Sequence, residues 1–261
     1  MTKPLLKVSD ATVRFGGLTA VDHVSFEVNE GELLGLIGPN GAGKTTALRA
    51  VTGVVQLSSG SVELDGQRID HLSIDRRIRK GLSLSQQLVK PLRDMTLLEN
   101  VVLAAGYNKT ASPLKALVNV DDAAERKIAQ AMLDKVGIGP LANQKPAIQP
   151  LGILKRLELA RALALQPKLF LLDEPLAGLN SKEARDLAST IVELNKSGMT
   201  IVLIEHNLGE VIRVCQRLVV LDNGRKIADG EPRGVMNNSE VRAAYLGGDV
   251  VAEKGGVHAS Y

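Results

Sequence analysis

Aromatic residues and cysteine are scarce in this sequence. Its 261 residues include three Phe, three Tyr and no Trp, so the core must be built mainly from Leu, Ile, Val and Ala. The single cysteine, Cys215, excludes an internal disulfide and favours a reducing compartment. Because no neighbouring residue indicates an activated thiol, we interpret Cys215 as a small apolar residue on a helix face.

Long apolar runs and an excess of one charge are missing too. No segment approaches the ~18 apolar residues of a transmembrane helix, and no apolar signal-peptide block follows Met1. The 32 basic and 29 acidic residues are interspersed and leave a net charge of only +3. Without a dense basic run or an aromatic platform, nucleic acid is not an expected partner. The sequence therefore predicts a soluble globular protein.

Strand and helix patterns alternate along most of the chain. Leu5–Phe15 and His23–Val28 alternate apolar and polar residues, which predicts antiparallel strands. The continuous apolar run Leu33–Ile37 predicts a strand buried on both faces. Further strands are predicted at Ser61–Leu64, Lys168–Leu172, Thr200–Ile204 and Leu218–Leu221, and helices at 44–51, Leu151–Leu165 and Ser181–Asn195. This rhythm indicates an α/β fold with a mostly parallel sheet.

Two segments depart from that rhythm. Met95–Val136 is helical in pattern apart from Gly106–Val120, which has no clear period, so we expect a helical insertion in the α/β chain. After Leu246 the residues are small and polar, which predicts a disordered tail over 247–261.

A glycine-rich loop lies directly between the predicted strand at Leu33–Ile37 and the helix that begins at Lys44. Gly38, Gly43, Lys44 and Thr45 satisfy the spacing GxxxxGK[ST]. Its glycines let backbone N–H groups surround phosphate oxygens at a helix N-terminus, Lys44 would bridge the β- and γ-phosphates, and Thr45 would ligate Mg²⁺. The predicted ATP-binding residues are Gly38, Pro39, Asn40, Gly41, Ala42, Gly43, Lys44, Thr45 and Thr46.

Two further strands end in residues suited to phosphate chemistry. Asp173 and Glu174 follow an apolar strand at the sheet edge where α/β proteins place ligands. Asp173 could hold Mg²⁺ through water and Glu174 could accept a proton from the attacking water. His206 follows Ile201–Glu205, so it would stand at the same edge, within reach of a γ-phosphate. The alternatives are an ordinary Asp-Glu-Pro turn and a structural histidine.

These motifs, in this order and at these separations, resemble those of the ATP-binding cassette (ABC) transporter ATPases. The likeness extends from Leu5 to Leu246. It implies a P-loop NTPase (RecA-like) core at about 1–90 and 165–246, an N-terminal antiparallel β subdomain and a helical subdomain at about 91–164. It also implies ATP and Mg²⁺ as ligands and a transport-coupled ATPase activity.

The resemblance assigns roles to two more residues. Gln87 matches the glutamine loop that senses Mg²⁺ and leads into the helical subdomain, with Gln86 as the alternative. Phe15 lies where the family stacks an aromatic ring on adenine, although a core position is the other possibility. On this reading Glu174, His206 and Gln87 are catalytic, and Thr45, Gln87 and Asp173 are the Mg²⁺ residues.

Three local segments look like the ATPases of branched-chain amino-acid importers. They are Phe15–Val21, Ala177–Asn180 and Val241–Gly247. The implied partners are a second ABC ATPase subunit, transmembrane permease subunits and, indirectly, a solute-binding protein, at the cytoplasmic face of the inner membrane. The ATPases of urea and amide importers and of a lipopolysaccharide exporter share much of the sequence of these segments and remain alternatives.

The family's signature motif, Leu-Ser-x-Gly-x-Gln, is altered in this chain. The corresponding residues here are Gln149–Leu154, of which only Gly152 matches the motif. Pro150 stands in place of the serine, Leu151 occupies the variable position after it, and Leu154 stands in place of the glutamine. Pro150 has neither hydroxyl nor N–H to donate to the γ-phosphate bound by a partner cassette. Each lost charge-assisted hydrogen bond should weaken closure of the dimer by about 1.5–3 kcal/mol.

This alteration leaves three hypotheses open. In a heterodimer, this chain would hydrolyse ATP against a sister subunit's intact signature; in a homodimer, both sites would be weakened. The chain could also be a non-hydrolysing regulatory cassette, although a pure binder has no need of the Glu174 base. A soluble ABC ATPase of ribosomes or DNA repair is disfavoured, because this chain has neither a second cassette nor a long coiled-coil insertion.

Overall fold

Ten strands and nine α-helices occupy the described residues of this computed structural model, which are 3–85, 90–107 and 122–254. The strands are β1 (Pro4–Phe15), β2 (Leu18–Asn29), β3 (Leu33–Ile37), β4 (Ser59–Leu64), β5 (Gln67–Arg68), β6 (Leu82–Ser85), β7 (Leu169–Asp173), β8 (Thr200–Ile204), β9 (Arg217–Asp222) and β10 (Arg225–Gly230). The helices are α1 (Lys44–Thr52), α2 (Ile74–Arg79), α3 (Leu97–Ala105), α4 (Ala123–Lys135), α5 (Leu151–Ala164), α6 (Ser181–Lys196), α7 (Leu208–Val214), α8 (Pro232–Asn237) and α9 (Ser239–Lys254).

The chain forms two compact units, and the boundary between them falls within β8. The first unit contains Met1–Asn29, Leu33–His71 and Leu203–Tyr261. The second contains Glu30–Glu32 and Leu72–Val202.

The first unit contains an antiparallel sheet and the strand that leads to α1. The antiparallel sheet has the order β2-β1-β4-β5, and β1 pairs with both β2 and β4. Separately, β3 pairs parallel with β9, and β9 pairs antiparallel with β10. All five residues of β3 are buried, which accounts for its unbroken apolar sequence.

The second unit combines parallel strands with a helical layer. Strands β6 and β7 pair in parallel, with Leu82 opposite Leu169. Helices α3, α4 and α5 pack against one another, and each contributes a fully buried leucine to their core: Leu97, Leu133 and Leu157. Their apolar residues recur at helical spacing, so one face of each helix is removed from water.

The α/β prediction is confirmed, and most predicted elements agree with the structure to within two residues. Strand β8 has the predicted bounds, whereas β2 begins five residues before the predicted His23. Six short elements, all of two to seven residues, were not predicted: β5, α2, β6, α7, β10 and α8. Such short segments contain too few residues to show a period.

The expected disorder of the C-terminal tail is wrong for residues 247–254, because α9 continues to Lys254. The prediction gave too much weight to Gly247 and Gly248. Two glycines cost roughly 1 kcal/mol each in a helix interior, while each residue added to an existing helix gains a hydrogen bond. The final residues, 255–261, lie outside the described part of the chain.

Candidate functional site

The glycine-rich loop of the first unit joins β3 to α1. Gly38, Gly41 and Gly43 all have positive φ, at 149°, 80° and 97°. Gly43 is the N-cap of α1, and no side chain caps this helix end. The first-turn N–H groups of an α-helix have no intrahelical partners, so such an end suits an anion.

Close backbone approaches explain two of these glycines. A Cβ on Gly38 would collide with the carbonyl oxygen of Leu221, and one on Gly43 would collide with the carbonyl oxygen of Ala20. The turn after β9 also supports the loop, since the Gly224 N–H donates to the Ala42 carbonyl over 3.1 Å. Two other segments of the first unit, β2 and the end of β9 with its turn, therefore pack against the backbone of the loop.

Lys44 lies inside this loop and is only 6% exposed. Its Nζ donates to the carbonyl oxygens of Gly38, at 2.7 Å, and Pro39, at 2.9 Å. These bonds satisfy a buried ammonium group that would otherwise be costly. They also hold a positive charge at the helix N-terminus, where phosphate oxygens would bind.

Two other predicted residues of the first unit are solvent-exposed. Phe15 ends β1, beside a turn in which Gly16 has φ 57°, and its side chain is 51% exposed. It is therefore not a core residue. His206 is also exposed, in the turn between β8 and α7, where its carbonyl accepts from the Leu208 N–H.

The predicted carboxylates lie in the second unit, at the end of β7. Asp173 is the last residue of the strand and is buried. Glu174 follows with φ 52°, a conformation that is uncommon for a residue other than glycine. Strained backbone of this kind concentrates at functional sites, where it fixes a side chain's direction.

A buried lysine to which the sequence motifs assign no role contacts this turn. Lys155 of α5 is 4% exposed, and its Nζ donates to the carbonyl oxygen of Glu174 over 3.4 Å. The signature helix α5 is thereby bonded to the turn that carries the candidate base. The sequence does contain one indication of this role, because Lys155 lies within an otherwise apolar helical pattern.

The altered signature forms the N-terminus of α5. Pro150 is the N-cap, with φ −65° and ψ 160°, and no side chain caps the helix. Leu151 is 41% exposed and Ile148, just before the helix, is 74% exposed. This helix end therefore presents apolar side chains where the family motif has a hydroxyl.

A cavity of about 160 Å³ adjoins the signature. Its polar lining comes from Arg156, Glu183 and Asp186, and its apolar lining includes Pro150 and Leu179. A carboxylate oxygen of Glu183 lies 3.4 Å from where a Cβ of Gly152 would be. Negative charge thus already lies near this helix N-terminus, which disfavours a further anion.

Asn100 organises the segment that leads into the helical layer. It is 1% exposed; its Nδ2 donates to the carbonyls of Leu92 and Thr96, and its Oδ1 accepts from the Leu92 N–H. Gln87 and its alternative Gln86 lie outside the described residues. No role was predicted for Asn100 from the sequence.

A larger cavity, of about 300 Å³, also lies in the second unit. Lys90, Glu158 and Arg161 supply its charged side chains, and Ser83 and Ala104 are among its other lining residues. Arg161 Nη1 donates to the Lys90 carbonyl over 3.2 Å. The cavity is therefore polar and bears both signs of charge.

No cluster of three or more His, Cys, Asp or Glu side chains suited to a metal occurs in residues 3–85, 90–107 and 122–254. Mg²⁺ that accompanies a nucleotide requires only one or two protein ligands beside phosphate and water. An ion of this kind therefore needs no dedicated cage of protein ligands. Across the same residues, no helix has the length and apolarity to cross a membrane.

Comparison with known proteins identifies the family. Residues 21–177, more than half of the chain, match the family model described as ABC transporter. This chain is a member of the ABC transporter family. A second model, described as branched-chain amino acid ATP-binding cassette transporter, matches residues 225–251 of the cassette.

A curated relative supports this membership over almost the full length of the cassette. The high-affinity branched-chain amino acid transport ATP-binding protein BraF of Pseudomonas aeruginosa is 37% identical over 254 residues, which cover 95% of this chain and 99% of the relative. The resemblance to ABC transporter ATPases is therefore confirmed.

Solved structures place the fold among ATP-binding cassettes. One, the ADP conformation of an ATP-binding cassette of an ABC transporter, has a TM-score of 0.84 and 30% identity, covering 94% of this chain and all of its own. Another, a dimeric cassette in a post-hydrolysis state bound to ADP and Pi, has a TM-score of 0.75 and 26% identity over 88% of this chain and 99% of its own. The P-loop NTPase fold is thus confirmed.

Proposed function

We propose that this chain is the ATP-binding and ATP-hydrolysing subunit of a membrane importer for branched-chain amino acids. The observation that carries the proposal is the phosphate-binding loop, in which an uncapped helix N-terminus and a buried Lys44 charge converge. The solute class is supported by the match over residues 225–251 and by the similarity to BraF. Permease subunits would hold the chain at the cytoplasmic face of the membrane.

ATP would bind to the first unit through its phosphates and its base. The backbone N–H groups from Gly41 to Thr46 and the Lys44 ammonium would surround the phosphates, and the exposed ring of Phe15 would stack on adenine. Lys44 would exchange its bonds to loop carbonyls for bonds to the β- and γ-phosphates. His206 would contact the γ-phosphate.

Hydrolysis would depend on two carboxylates and a threonine. Thr45 and Asp173 would hold Mg²⁺, which neutralises charge on the β- and γ-phosphates when bound. Glu174 would orient the attacking water and accept its proton. Its fixed backbone and the Lys155 bond to its carbonyl support this role, because a base must be held in one geometry. Gln87 is the remaining proposed catalytic residue.

A second cassette would complete the site, and we favour a heterodimer. The helix end at Pro150 lacks the side-chain donors of the family's signature, and Glu183 places a carboxylate beside it. In a dimer of two copies of this chain, the altered signature of each copy would therefore bind the γ-phosphate of its partner's ATP weakly. A sister subunit with an intact signature would supply what this chain needs for hydrolysis.

The permease would dock on the second unit, in the cavity of about 300 Å³. Lys90, Glu158 and Arg161 suit a short polar helix that presents charges of both signs. The segment from Leu92 to Asn100, which would carry changes at the ATP site to this cavity, is held by four hydrogen bonds of the Asn100 side chain.

The second candidate function is a non-hydrolysing regulatory cassette. The apolar signature favours it, since a chain that only binds ATP needs no working signature. The strained position of Glu174 opposes it, because a binder gains nothing from holding a base in an uncommon conformation.

Labelled-leucine uptake and steady-state ATP hydrolysis test the proposal together, with Glu174→Gln as the inactive variant. In cells that lack the chain, wild type should restore uptake and Glu174→Gln should not. Removal of a general base should lower hydrolysis by about 10²- to 10⁴-fold while ATP binding is retained. Leucine uptake that is indifferent to the chain would contradict the solute class.

ATP hydrolysis by the purified chain alone distinguishes a heterodimer from a homodimer. Hydrolysis at the level of Glu174→Gln, with ATP still bound, supports a heterodimer. Hydrolysis well above that blank shows that two altered signatures close a productive homodimer. If a sister cassette fails to raise the rate, the regulatory function is favoured instead.

A further inference from the structure

The cavity of about 160 Å³ beside the altered signature is lined by residues of α5 and α6, all within the second unit. Three of these residues are charged: Arg156 on α5, and Glu183 and Asp186 on α6. Pockets for drug-sized ligands measure about 300–1,000 Å³, so this cavity suits only a smaller molecule.

Arg156 keeps hydrogen-bond donors that its own protein contacts do not use. Its side chain is half-buried, and Nη1 donates to the Val136 carbonyl, over 2.7 Å, and to the Thr190 hydroxyl, over 2.8 Å. Within the described part of the chain, its Nε and Nη2 have no bonding partner. Burial lowers the pKa of Arg156, whereas the charge of Asp186 acts to raise it. The two opposite charges are therefore within electrostatic reach of each other.

The two carboxylates of the cavity keep acceptors in the same way. Oε2 of Glu183 accepts from the Asn180 N–H over 3.2 Å, while Oε1 is the atom that lies near Gly152. Among the described residues, neither Glu183 Oε1 nor the exposed Asp186 carboxylate has a bonding partner, and no ion pair joins either of them to Arg156. Charges of both signs thus line one cavity without being paired, and a ligand that carries both signs would pair them.

The rest of the lining narrows the ligand further. One positive and two negative side chains disfavour an inorganic anion, and a simple cation would leave the Arg156 donors unused. The other lining residues are mostly apolar: Pro150, Ile153, Leu179 and Leu187. An ampholyte with an aliphatic group would match both the charges and this apolar wall.

We infer that this cavity binds a free α-amino acid with an aliphatic side chain. Arg156 would donate to its carboxylate, Glu183 and Asp186 would accept from its ammonium group, and the apolar wall would contact its side chain. The lining of the cavity alone leads to this ligand. The site is therefore an addition to the proposed function and does not depend on it.

Isothermal titration of L-leucine into the purified chain, without nucleotide, tests this site. A ligand of about ten non-hydrogen atoms has modest affinity, so the titration should extend to roughly 10 mM. Leucine should bind saturably. Isoamylamine lacks the carboxylate, isocaproate lacks the ammonium group and glycine lacks the aliphatic chain. Each should bind about tenfold more weakly than leucine or worse, because each loses a charged hydrogen bond or the apolar contact.

Asp186→Asn tests the site from the side of the protein. It should weaken leucine binding about tenfold, because one charged acceptor of the ammonium group is lost, and should not weaken isocaproate binding. Glu193→Gln is the matched control, since this exposed carboxylate lies further along α6, pairs with Lys196 and does not line the cavity. It should bind leucine as wild type does. Thermal unfolding of Asp186→Asn should also match wild type, because its carboxylate has no partner to lose among the described residues.

Three results would overturn the inference. They are no saturable leucine binding up to roughly 10 mM, isoamylamine or isocaproate binding as tightly as leucine, and an Asp186→Asn affinity for leucine within twofold of wild type. Leucine binding to the purified chain requires neither ATP nor a permease. A chain that binds leucine but does not restore its uptake would therefore contradict the proposed function and leave this site in place.

Discussion

The N-termini of α1 and α5 share a missing cap and differ in what surrounds it. Neither helix has a side chain that caps its first turn. By contrast, α3 and α6 begin with complete capping boxes, Thr96 with Glu99 and Asn180 with Glu183. A cap satisfies N–H groups that would otherwise seek a partner. Helices α2 and α4 also begin without a side-chain cap, so a missing cap does not by itself mark a phosphate site. The ends of α1 and α5 are distinguished from these because they match the two helix ends that the family uses to hold phosphate.

What surrounds each uncapped end decides how well it can bind an anion. At α1 the neighbours are glycines and the buried Lys44 ammonium. At α5 they are Pro150, the exposed Leu151 and, close to Gly152, the Glu183 carboxylate. Both ends have the favourable field of a helix N-terminus, which is worth at most about 2 kcal/mol. The difference therefore comes from side chains, and the following variants test it.

The largest effect is expected when α1 loses its positive charge. Lys44→Ala removes the ammonium and leaves the Gly38 and Pro39 carbonyls without their donor. Loss of one pre-positioned donor to a phosphoryl group should lower kcat/KM for ATP by about 100-fold or more. Steady-state hydrolysis measures it, and Lys127→Ala, at an exposed lysine of α4, is the control. A rate close to wild type would place phosphate binding elsewhere.

A smaller effect of opposite sign is expected when α5 regains its donors. Pro150→Ser with Leu154→Gln restores two of the missing family side chains. Each new bond to the γ-phosphate of a partner's ATP is worth about 1.5–3 kcal/mol, so turnover of the isolated chain should rise about tenfold or more. Ile148→Ser adds a hydroxyl at an exposed site just outside the helix and should change nothing. An unchanged rate in the double variant would mean that the signature does not limit turnover.

The smallest effect is expected at a capped helix end. Thr96→Ala removes the side chain that accepts from the Glu99 N–H and should lower the free energy of unfolding by about 1 kcal/mol, without altering ATP affinity. Urea unfolding measures it. Ser73→Ala is the comparison, because it removes a hydroxyl that bonds the Asp75 side chain but makes no cap bond at α2. Altered ATP affinity in Thr96→Ala would contradict the separation between capped and uncapped ends.

The pH dependence of that variant sharpens the test. Bonds from the Thr96 backbone and hydroxyl lower the pKa of Glu99. A carboxylate with a lowered pKa stabilises the fold at pH values above its ordinary pKa, and this contribution is lost as the pH falls through the folded-state pKa. The stability difference between wild type and Thr96→Ala should therefore narrow in acid.

Local sequence was sufficient to predict those features whose backbone geometry and burial depend on residues that are neighbours along the chain. The glycine spacing of 38–43 specifies a turn that few other residues can adopt, and the apolar run of β8 gave its bounds to the residue. The same holds for the Asp173-Glu174 turn after β7. Short elements such as α2 and β10 could not be found, because their charged sequences show no clear period.

The sequence by itself determined the ATP-binding motif, the altered signature and the α/β rhythm, since each is written in consecutive residues. Tertiary structure alone decided that Gly224 supports Ala42 and that Glu183 lies beside Gly152. The members of these pairs are far apart along the chain, by 31 residues for Gly152 and Glu183 and by 182 for Ala42 and Gly224. Nothing in either local segment specifies its partner, because such contacts arise only when packed strands and helices bring the two backbones together.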